Sequence, residues 1–184
     1  ITYSYSDTQQ VHRFEWPDPN NPKNPKGRAK TYRQSHINGK GEVEWKKGNS
    51  PWSAYRIEEV VETLKGIQDD EPFVVLMLEG EPNVELARLH AIPALTLQGS
   101  SWDEAEITRA VEALQATGKN IVLAKLRDND STGDKKGRQI QSVCDRLQFP
   151  CIVIDPVAIY PDIPDKGDIK EILDNMDADE FIRR

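Results

Sequence analysis

Residues 73–81 read Phe-Val-Val-Leu-Met-Leu-Glu-Gly-Glu, and this stretch decides the fold. Its six consecutive apolar residues, two of them β-branched, predict a strand buried on both faces, as in a parallel sheet. The strand ends in Glu79 and Glu81, which are separated by Gly80. A buried strand does not need two carboxylates at its end, whereas open α/β sheets build sites at the carboxyl ends of their strands. Glu79 and Glu81 are therefore candidate site residues at a strand-to-helix turn.

Strand and helix patterns alternate along the chain around this stretch. A helical pattern comes before it and ends at Gly66, and a second one follows it directly. Further strands are predicted at 94–98, 120–126 and 151–155, and helices at 51–65, 83–90, 101–118, 137–147 and 169–176. Ser101 and Glu104 have the spacing of a capping box at the start of one helix. Strands separated by helices of this length predict an α/β domain with a right-handed, mostly parallel sheet.

Residues 1–56 show a different pattern. Short alternating runs at 3–5, 11–16, 30–33 and 43–46 are separated by turn sequences, notably the proline-rich segment 17–25 and Asn38-Gly39. These runs predict a small antiparallel meander with one long loop. Its interleaved aromatic and basic residues suit nucleic acid, and an exposed sheet with solvated lysines is the alternative.

Charge divides the chain in the same place. Residues 1–56 hold ten Lys and Arg against five Asp and Glu, whereas residues 57–184 hold fourteen against twenty-six. We therefore expect two domains, a basic β-rich lobe at 1–56 and an acidic, metal-binding domain at 57–184. A basic lobe beside an acidic domain suits a polyanion guided by the first and a metal held by the second.

The remaining composition bears on the cellular setting. Cys144 and Cys151 have neither a C-x-x-C partner nor zinc-ligand spacing, so they predict two reduced core thiols and a cytoplasmic protein. No apolar run is long enough to cross a bilayer, and no signal peptide is recognisable. The first residue is Ile1 rather than Met, which leads us to expect a piece of a longer chain.

A second acidic group follows the third predicted strand. Asp128 and Asp130 stand two residues apart, and a turn at Gly133 comes next. Two carboxylates presented in this way suit one hard cation such as Mg²⁺. A further acid, Asp168, begins the last predicted helix. A calcium-binding EF-hand starting at Asp128 is excluded, because its twelfth position would need Glu and holds Gln139.

Two other interpretations of Asp128 and Asp130 stay open. A D-x-D-x-T signature after a strand also suits aspartyl-phosphate phosphatases, which need further strands carrying a lysine and more acids. A single apolar strand remains after residue 132. Asp is also common in turns that have no chemical role. The Glu-Gly-Glu sequence at the end of another strand favours a shared site over a simple turn.

Taken together, these motifs resemble the Toprim domain, which occurs in bacterial primases, phage and plasmid primase-helicases, topoisomerases and some nucleases. The match rests on Glu-Gly-Glu at 79–81, on Asp-x-Asp-x-x-Gly at 128–133 and on the later acid Asp168. The resemblance covers residues 70–176, and Pro-Asp-Lys-Gly-Asp ending at Asp168 resembles the primase form. Bacterial primases usually have Asp-Pro at this last acid, whereas Ile169 follows it here. The lobe and residues 51–57 loosely resemble the lead-in to this domain in primase-helicases.

The resemblance implies a fold and an activity. The fold is Toprim-like, with a four-stranded sheet in which the strands before Glu79 and Asp128 are neighbours. The activity is that of a DNA primase core, which makes RNA primers on single-stranded DNA by nucleotidyl transfer that depends on Mg²⁺ or Mn²⁺. Its partners would be the DNA template, nucleoside triphosphates and a replicative helicase, with no membrane. The alternatives are a Toprim-type nuclease and a non-catalytic nucleic-acid-binding module of a phage or plasmid replication protein.

The resemblance also implies roles for single residues. Asp128, Asp130 and Asp168 would hold the metal ion. Glu79 would be a general base toward the primer 3′-hydroxyl or a further metal ligand, and it would be catalytic together with Asp128 and Asp130. The residues expected to bind nucleotide or DNA are Gly80, Glu81, Lys125, Arg127, Gly133 and Arg138. Lys135 and Lys136 flank the acids as well, and solvation on a helix surface is their alternative role.

Overall fold

A computed structural model describes residues 1–20, 27–67 and 72–183 of the chain. The chain divides into two compact units, Ile1–Trp52 and Ser53–Arg184. The sequence pattern places this boundary between residues 56 and 57. The loop predicted at 17–25 lies partly outside the described residues, because 21–25 fall in the first gap.

The first unit is an antiparallel sheet. Its strands are β1 (Thr2–Ser4), β2 (Gln9–Pro17), β3 (Arg28–Ile37) and β4 (Val43–Glu44), and they are paired in this order. Asn38 forms the predicted turn between the last two strands, since its Oδ1 accepts hydrogen bonds from the backbone N–H groups of Lys40 and Glu42 at 2.9 and 3.0 Å. The predicted meander is confirmed.

The second unit is an α/β domain. Its elements in chain order are α1 (Ile57–Lys65), β5 (Phe73–Met77), α2 (Glu81–Leu89), β6 (Ala94–Leu95), α3 (Glu104–Gln115), β7 (Ile121–Leu126), α4 (Ser131–Leu147), β8 (Cys151–Ile154), α5 (Pro156–Ile159), α6 (Ile169–Asn175) and α7 (Ala178–Arg183). The described strands form one parallel sheet in the order β6-β5-β7-β8. The predicted α/β fold is confirmed, and the strands that precede Glu79 and Asp128 are neighbours.

The main core lies between one face of this sheet and the helices α1, α3 and α4. The sheet contributes Val75, Met77 and Leu123, which have no exposed surface. Leu64 of α1 and Val111 of α3 are also fully buried there and repeat at helical spacing with other apolar residues. Each such side chain stabilises the fold by about 1.5–3 kcal/mol through burial. This core fixes the directions of β5 and β7, from whose ends the candidate site residues project.

Five local predictions are wrong. The strand at 73–81 is not buried on both faces throughout, because Val74 at its start is 45% exposed. The strand at 94–98 is shorter, since β6 ends at Leu95. The capping box is formed by Asp103 with Glu106 rather than by Ser101 with Glu104. Helix α1 begins at Ile57 rather than at Pro51, and helix α4 begins six residues earlier than predicted.

In the part of the chain that the structure describes, no helix has both the length and the apolar character needed to cross a membrane.

Candidate functional site

The candidate site lies at the carboxyl edge of the parallel sheet, where β5 and β7 end side by side. β5 has β6 on one side and β7 on the other, so the chain leaves it in one direction and crosses back to the opposite side. Such a topological switch point opens a crevice outside the strand ends. Glu79 follows β5 by two residues, and Asp128 follows β7 by two residues. The fold therefore places both acids at this edge.

Glu79 is held by two lysines. Its Oε1 accepts a hydrogen bond from Lys125 Nζ at 3.2 Å, and its Oε2 accepts one from Lys136 Nζ at 2.5 Å. The side chain of Lys125 has no exposed surface, and the side chains of Glu79 and Lys136 are 10% and 9% exposed. The three groups form a buried ion triad in which both carboxylate oxygens have a positively charged partner.

Trp102 contacts the same two lysines. The Nζ atoms of Lys125 and Lys136 lie 5.3 and 4.6 Å from the centroid of its ring, within the range of cation–π attraction. Trp102 is itself 5% exposed. Lys125 also donates to the carbonyl of Leu126 at 2.8 Å. Burial nevertheless lowers the pKa of Lys125, and the charge of Glu79 acts in the opposite direction.

Asp128 is the acid that has no such partner. Its side chain is half-buried and has neither a hydrogen bond nor an ion pair with the described residues. Burial raises the pKa of Asp128 to about 7, and the negative charges of Glu79, Asp168 and Asp130 add to this effect. Lys125 acts against it. Because Asp128 responds to the charges of the other three acids, these carboxylates share one electrostatic environment.

Asp130 begins helix α4. Its Oδ1 accepts hydrogen bonds from the backbone N–H groups of Thr132 and Gly133 at 2.9 and 2.8 Å, which is N-capping geometry. The helix packs closely against the preceding loop here, since a Cβ atom on Gly133 would lie 2.3 Å from the carbonyl oxygen of Asp128. A glycine is therefore required at 133 to keep both aspartates in place.

Asp168 begins helix α6 on a second loop that is tied to the first. Its Oδ1 accepts from the backbone N–H of Lys170 at 2.8 Å, and its Oδ2 accepts from Asn83 Nδ2 at 2.9 Å. Asn83 also donates to the carbonyl of Glu79 at 3.1 Å. Burial raises the pKa of Asp168, whereas the hydrogen bond from Asn83 lowers it. The backbone of Asn129 exchanges hydrogen bonds with residues 166 and 167 at 2.9 and 2.8 Å, which holds the two loops together.

The other predicted site residues occupy different environments. Gly80 has a positive φ of 79° and its N–H donates to Thr96 Oγ1 at 3.3 Å, at the start of α2. Glu81 is buried in the first turn of that helix. Arg127 pairs with Asp134 at 3.1 Å and with Asp155 at 2.9 Å.

The three cations in the first half of α4 differ in their exposure to solvent. Arg138 and Lys135 are exposed, whereas Lys136 is buried and faces Glu79. The surface-solvation interpretation is therefore wrong for Lys136.

The acids fit a hard cation in their chemistry. They provide carboxylate oxygens only, and Mg²⁺ is usually held by one or two carboxylates together with water and substrate phosphates. Among the described residues, no group of three or more His, Cys, Asp and Glu side chains is arranged to hold a metal ion. Asp128 together with Asp130 or Asp168 would be the protein ligands, because Glu79 is engaged by its two lysines.

Two contributors to the site have no signal in the sequence. Trp102 lies in a loop whose path cannot be read from periodicity, and Asn83 is predicted only as part of a helix. Lys136 is predicted to flank the acids, but its contact with Glu79 spans 57 residues and cannot be read from the sequence. Lys125 gave a readable signal, because it is the single charged residue of a strand that is otherwise apolar.

Comparison with known proteins adds a likeness of fold. No protein-family model and no curated protein sequence matches this chain. Its structure is similar to the crystal structure of the primase fragment of the bacteriophage T7 primase-helicase, with a TM-score of 0.50 and 14% identity. The likeness covers 98% of this chain and 64% of that fragment.

A second solved structure is also similar. It contains the bacteriophage T7 lagging-strand DNA polymerase interacting with primase domains of two gp4 subunits bound to an RNA/DNA hybrid and dTTP. The TM-score is 0.48 and the identity 14%, and the likeness covers 94% of this chain and 75% of that one. At this identity, the likeness is one of fold.

Proposed function

We propose that this chain is the catalytic core of a DNA primase, a nucleotidyltransferase that joins nucleoside triphosphates into short RNA primers on single-stranded DNA. The observation that carries the proposal is Asp128, a half-buried carboxylate without a hydrogen-bond donor among the described residues. It stands at the switch point of a parallel sheet beside three further acids. The fold likeness to a primase fragment supports the same activity.

Asp128 would bind a divalent ion together with Asp130 or Asp168. The ion would supply positive charge that stabilises the charge developing on the transferred phosphoryl group. Phosphoryl transfer needs little covalent help from the protein, so positioning and charge are the main tasks of these residues. The two helix N-terminal caps formed by Asp130 and Asp168 hold both carboxylates in fixed orientations before substrate arrives.

Glu79 is proposed as a general base or as a further metal ligand. Either role requires an oxygen that is not fully engaged, and in the arrangement described here both oxygens accept from lysines. Lys136 is the partner that can leave more easily, because it belongs to α4 and retains 9% exposure, whereas Lys125 is enclosed within the sheet. Release of Lys136 toward an incoming triphosphate would free Oε2 and neutralise phosphate charge in one movement.

The test is primer synthesis on a single-stranded DNA template with labelled nucleoside triphosphates and Mg²⁺. The parent protein should make short RNA products, and Asp128→Asn should make none, since it loses the charge but keeps the shape. Asp165→Asn is the matched control, because Asp165 is exposed in a neighbouring loop.

The same preparations separate the two rival functions. Nicking of plasmid DNA that depends on Asp128, without primer synthesis, would assign the site to a nuclease. A parent protein that neither primes nor cleaves, and whose calorimetric titration with Mn²⁺ shows no binding, would be a non-catalytic module.

A further inference from the structure

The unit of residues 1–52 carries a group of exposed aromatic side chains on one face of its sheet. Phe14 and Trp45 are 44% and 58% exposed, and Trp16 on the same strand as Phe14 is 47% exposed. Large exposed aromatic groups that lie together mark binding surfaces more often than isolated ones do.

Strand register shows which side chains share this face. Directly opposed residues of antiparallel strands point to the same side, and His12 is opposite Arg33 while Phe14 is opposite Thr31. The pairing of β3 with β4 continues this side to Trp45, which comes directly after β4. We call the surface formed by His12, Phe14, Thr31, Arg33 and Trp45 the aromatic face.

The aromatic face contains a pocket lined by two aromatic rings. Phe14, Thr31, Arg33 and Trp45 line a pocket of about 350 Å³. The ring centroids of Phe14 and Trp45 are 6.4 Å apart, and the rings are inclined at 48°. The ring of His12 packs against that of Trp45, with centroids 4.8 Å apart, and His12 is hydrogen-bonded to Ser35 Oγ at 2.7 Å. Trp45 therefore has an aromatic neighbour on this face without any ligand.

The side of this sheet opposite to the aromatic face carries charges of both signs, with Arg13, Arg28 and Lys30 among its cations. The carboxylates in the described strands of the sheet, Glu15 and Glu44, lie on this side, where Glu15 pairs with Arg13 and Arg28 and Glu44 pairs with Lys46. The aromatic face carries Arg33, which is exposed and has no ion pair with the described residues. A surface with rings, a free guanidinium and no carboxylate is complementary to a polyanion that carries planar bases.

We propose that the aromatic face is a base-stacking site for single-stranded nucleic acid, with bases against Trp45 and Phe14 and a phosphate at Arg33. Stacking on aromatic rings tolerates any base, because every base has a π face. The site therefore holds a strand without selecting its sequence. This function needs neither a metal ion nor catalysis, so it stands apart from the proposed nucleotidyl transfer.

The test uses the whole chain and a fluorescein-labelled oligothymidylate of about 15 nucleotides, with EDTA present. A second oligonucleotide of the same length has abasic sites throughout, so it keeps the phosphates and lacks the bases. Trp45→Ala and Phe14→Ala should each weaken oligothymidylate binding about tenfold and change abasic binding little. Trp45→Phe, which retains a ring, should stay close to the parent. Tyr32→Ala is the matched control, because Tyr32 is 40% exposed on the opposite side of the same sheet.

Arg33 has its own readout. Arg33→Gln should weaken binding of both oligonucleotides and reduce the slope of log affinity against log salt by about 0.7. Arg28→Gln removes the same charge from the opposite side, where Arg28 already pairs with Glu15, and should change the slope less. Equal slopes in these two variants would assign the effect to net charge and overturn a phosphate contact at Arg33.

Three outcomes would overturn the proposal. The first is parental affinity for oligothymidylate in both Trp45→Ala and Phe14→Ala, with folding confirmed by circular dichroism. The second is an equal loss with Tyr32→Ala or with the abasic strand. The third is a change from dimer to monomer in Trp45→Ala with unchanged DNA binding, which would make the face an interface between copies. A failure of primer synthesis would leave all these measurements unaffected.

Discussion

Replacing Glu79 by Gln should destabilise the fold, because it removes the charge that balances a fully buried ammonium group. Gln keeps the size of Glu79 and can still accept one hydrogen bond. Lys125, however, has no exposed surface and would retain only uncharged partners, such as the carbonyl of Leu126 and the ring of Trp102. Removing one partner of a buried ion pair costs about 3–5 kcal/mol. The two remaining contacts of Lys125 place our expectation at the lower end, about 3 kcal/mol.

The assay is thermal unfolding followed by circular dichroism, without divalent ions. A loss of about 3 kcal/mol corresponds to a fall in Tm of about 6–12 °C for a chain of this size. The loss should be larger at low pH and smaller at high pH. Burial already lowers the pKa of Lys125, and the charge of Glu79 raises it. Without that charge the folded protein releases the proton at lower pH than the unfolded chain does, so the free energy of unfolding rises with pH.

A double substitution separates this explanation from simple misfolding. Glu79→Gln combined with Lys125→Met removes both charges and fills the same volume, so it should recover most of the lost stability. Primer synthesis should remain low in the double variant if Glu79 has a chemical role. If Glu79→Gln alone lowers the free energy of unfolding by less than about 1 kcal/mol, the charge of Glu79 is not needed to stabilise buried Lys125. The ion triad would then contribute little to the stability of the fold.

Three further predictions concern the other acid and its loop. Asp128→Asn should raise Tm by about 4–8 °C near pH 8 and change it little near pH 4. The pKa of Asp128 is raised to about 7, so above this pH its charged form opposes folding. The pKa shift corresponds to about 2 kcal/mol of folding free energy once halved for solvent screening. Asp128→Ala should weaken Mn²⁺ binding at least about tenfold in calorimetric titration, whereas Asp165→Ala should bind as the parent does. Gly133→Ala should lower the free energy of unfolding by about 1–3 kcal/mol in denaturant unfolding, because its Cβ would meet the Asp128 backbone. Gly39→Ala is the control and should be neutral, because a Cβ there would meet nothing within 4 Å. Equal costs of the two substitutions would refute the close approach at Gly133.

The position of the acids at one sheet edge could be predicted because it depends on a simple pattern. An apolar run that ends in acids predicts a buried strand with polar groups at its carboxyl end, and neighbouring parallel strands end at the same edge. The lengths of the intervening helices then fix the parallel direction. This reasoning needs no side-chain packing. That β5 lies directly beside β7 is what the resemblance of the motifs implies, and strand patterns alone do not give it.

The start of helix α4 could not be predicted, because its glycines reflect packing rather than local propensity. Gly133 and Gly137 weaken a helical pattern, so the sequence favours a later start. In the structure both glycines permit close approach: a Cβ at Gly137 would lie 2.8 Å from Val153 Cγ1. The helix is stabilised instead by Asp130 at its N-cap and by buried residues such as Ile140. Tertiary contacts therefore outweigh propensity here.

The capping box was misplaced for a related reason. Ser101 with Glu104 and Asp103 with Glu106 satisfy the same spacing rule, and local sequence does not distinguish them. What decides between them is Trp102, whose side chain is buried beside the two lysines of the site. Burying that ring fixes the chain before it enters α3, so the helix begins after Trp102 and not before it.

These contacts also determine which acid would attract a cation most strongly. The charge of Glu79 is balanced by two ammonium groups. Asp130 and Asp168 each cap a helix N-terminus, where backbone N–H groups and the helix dipole stabilise negative charge. Asp128 has no comparable stabilisation, and burial with three like charges raises its pKa to about 7. A bound cation would therefore stabilise the charged form of Asp128 more than that of any other acid in the site. Its ionisation would then be coupled to metal binding, so Mn²⁺ affinity should rise with pH through about 7.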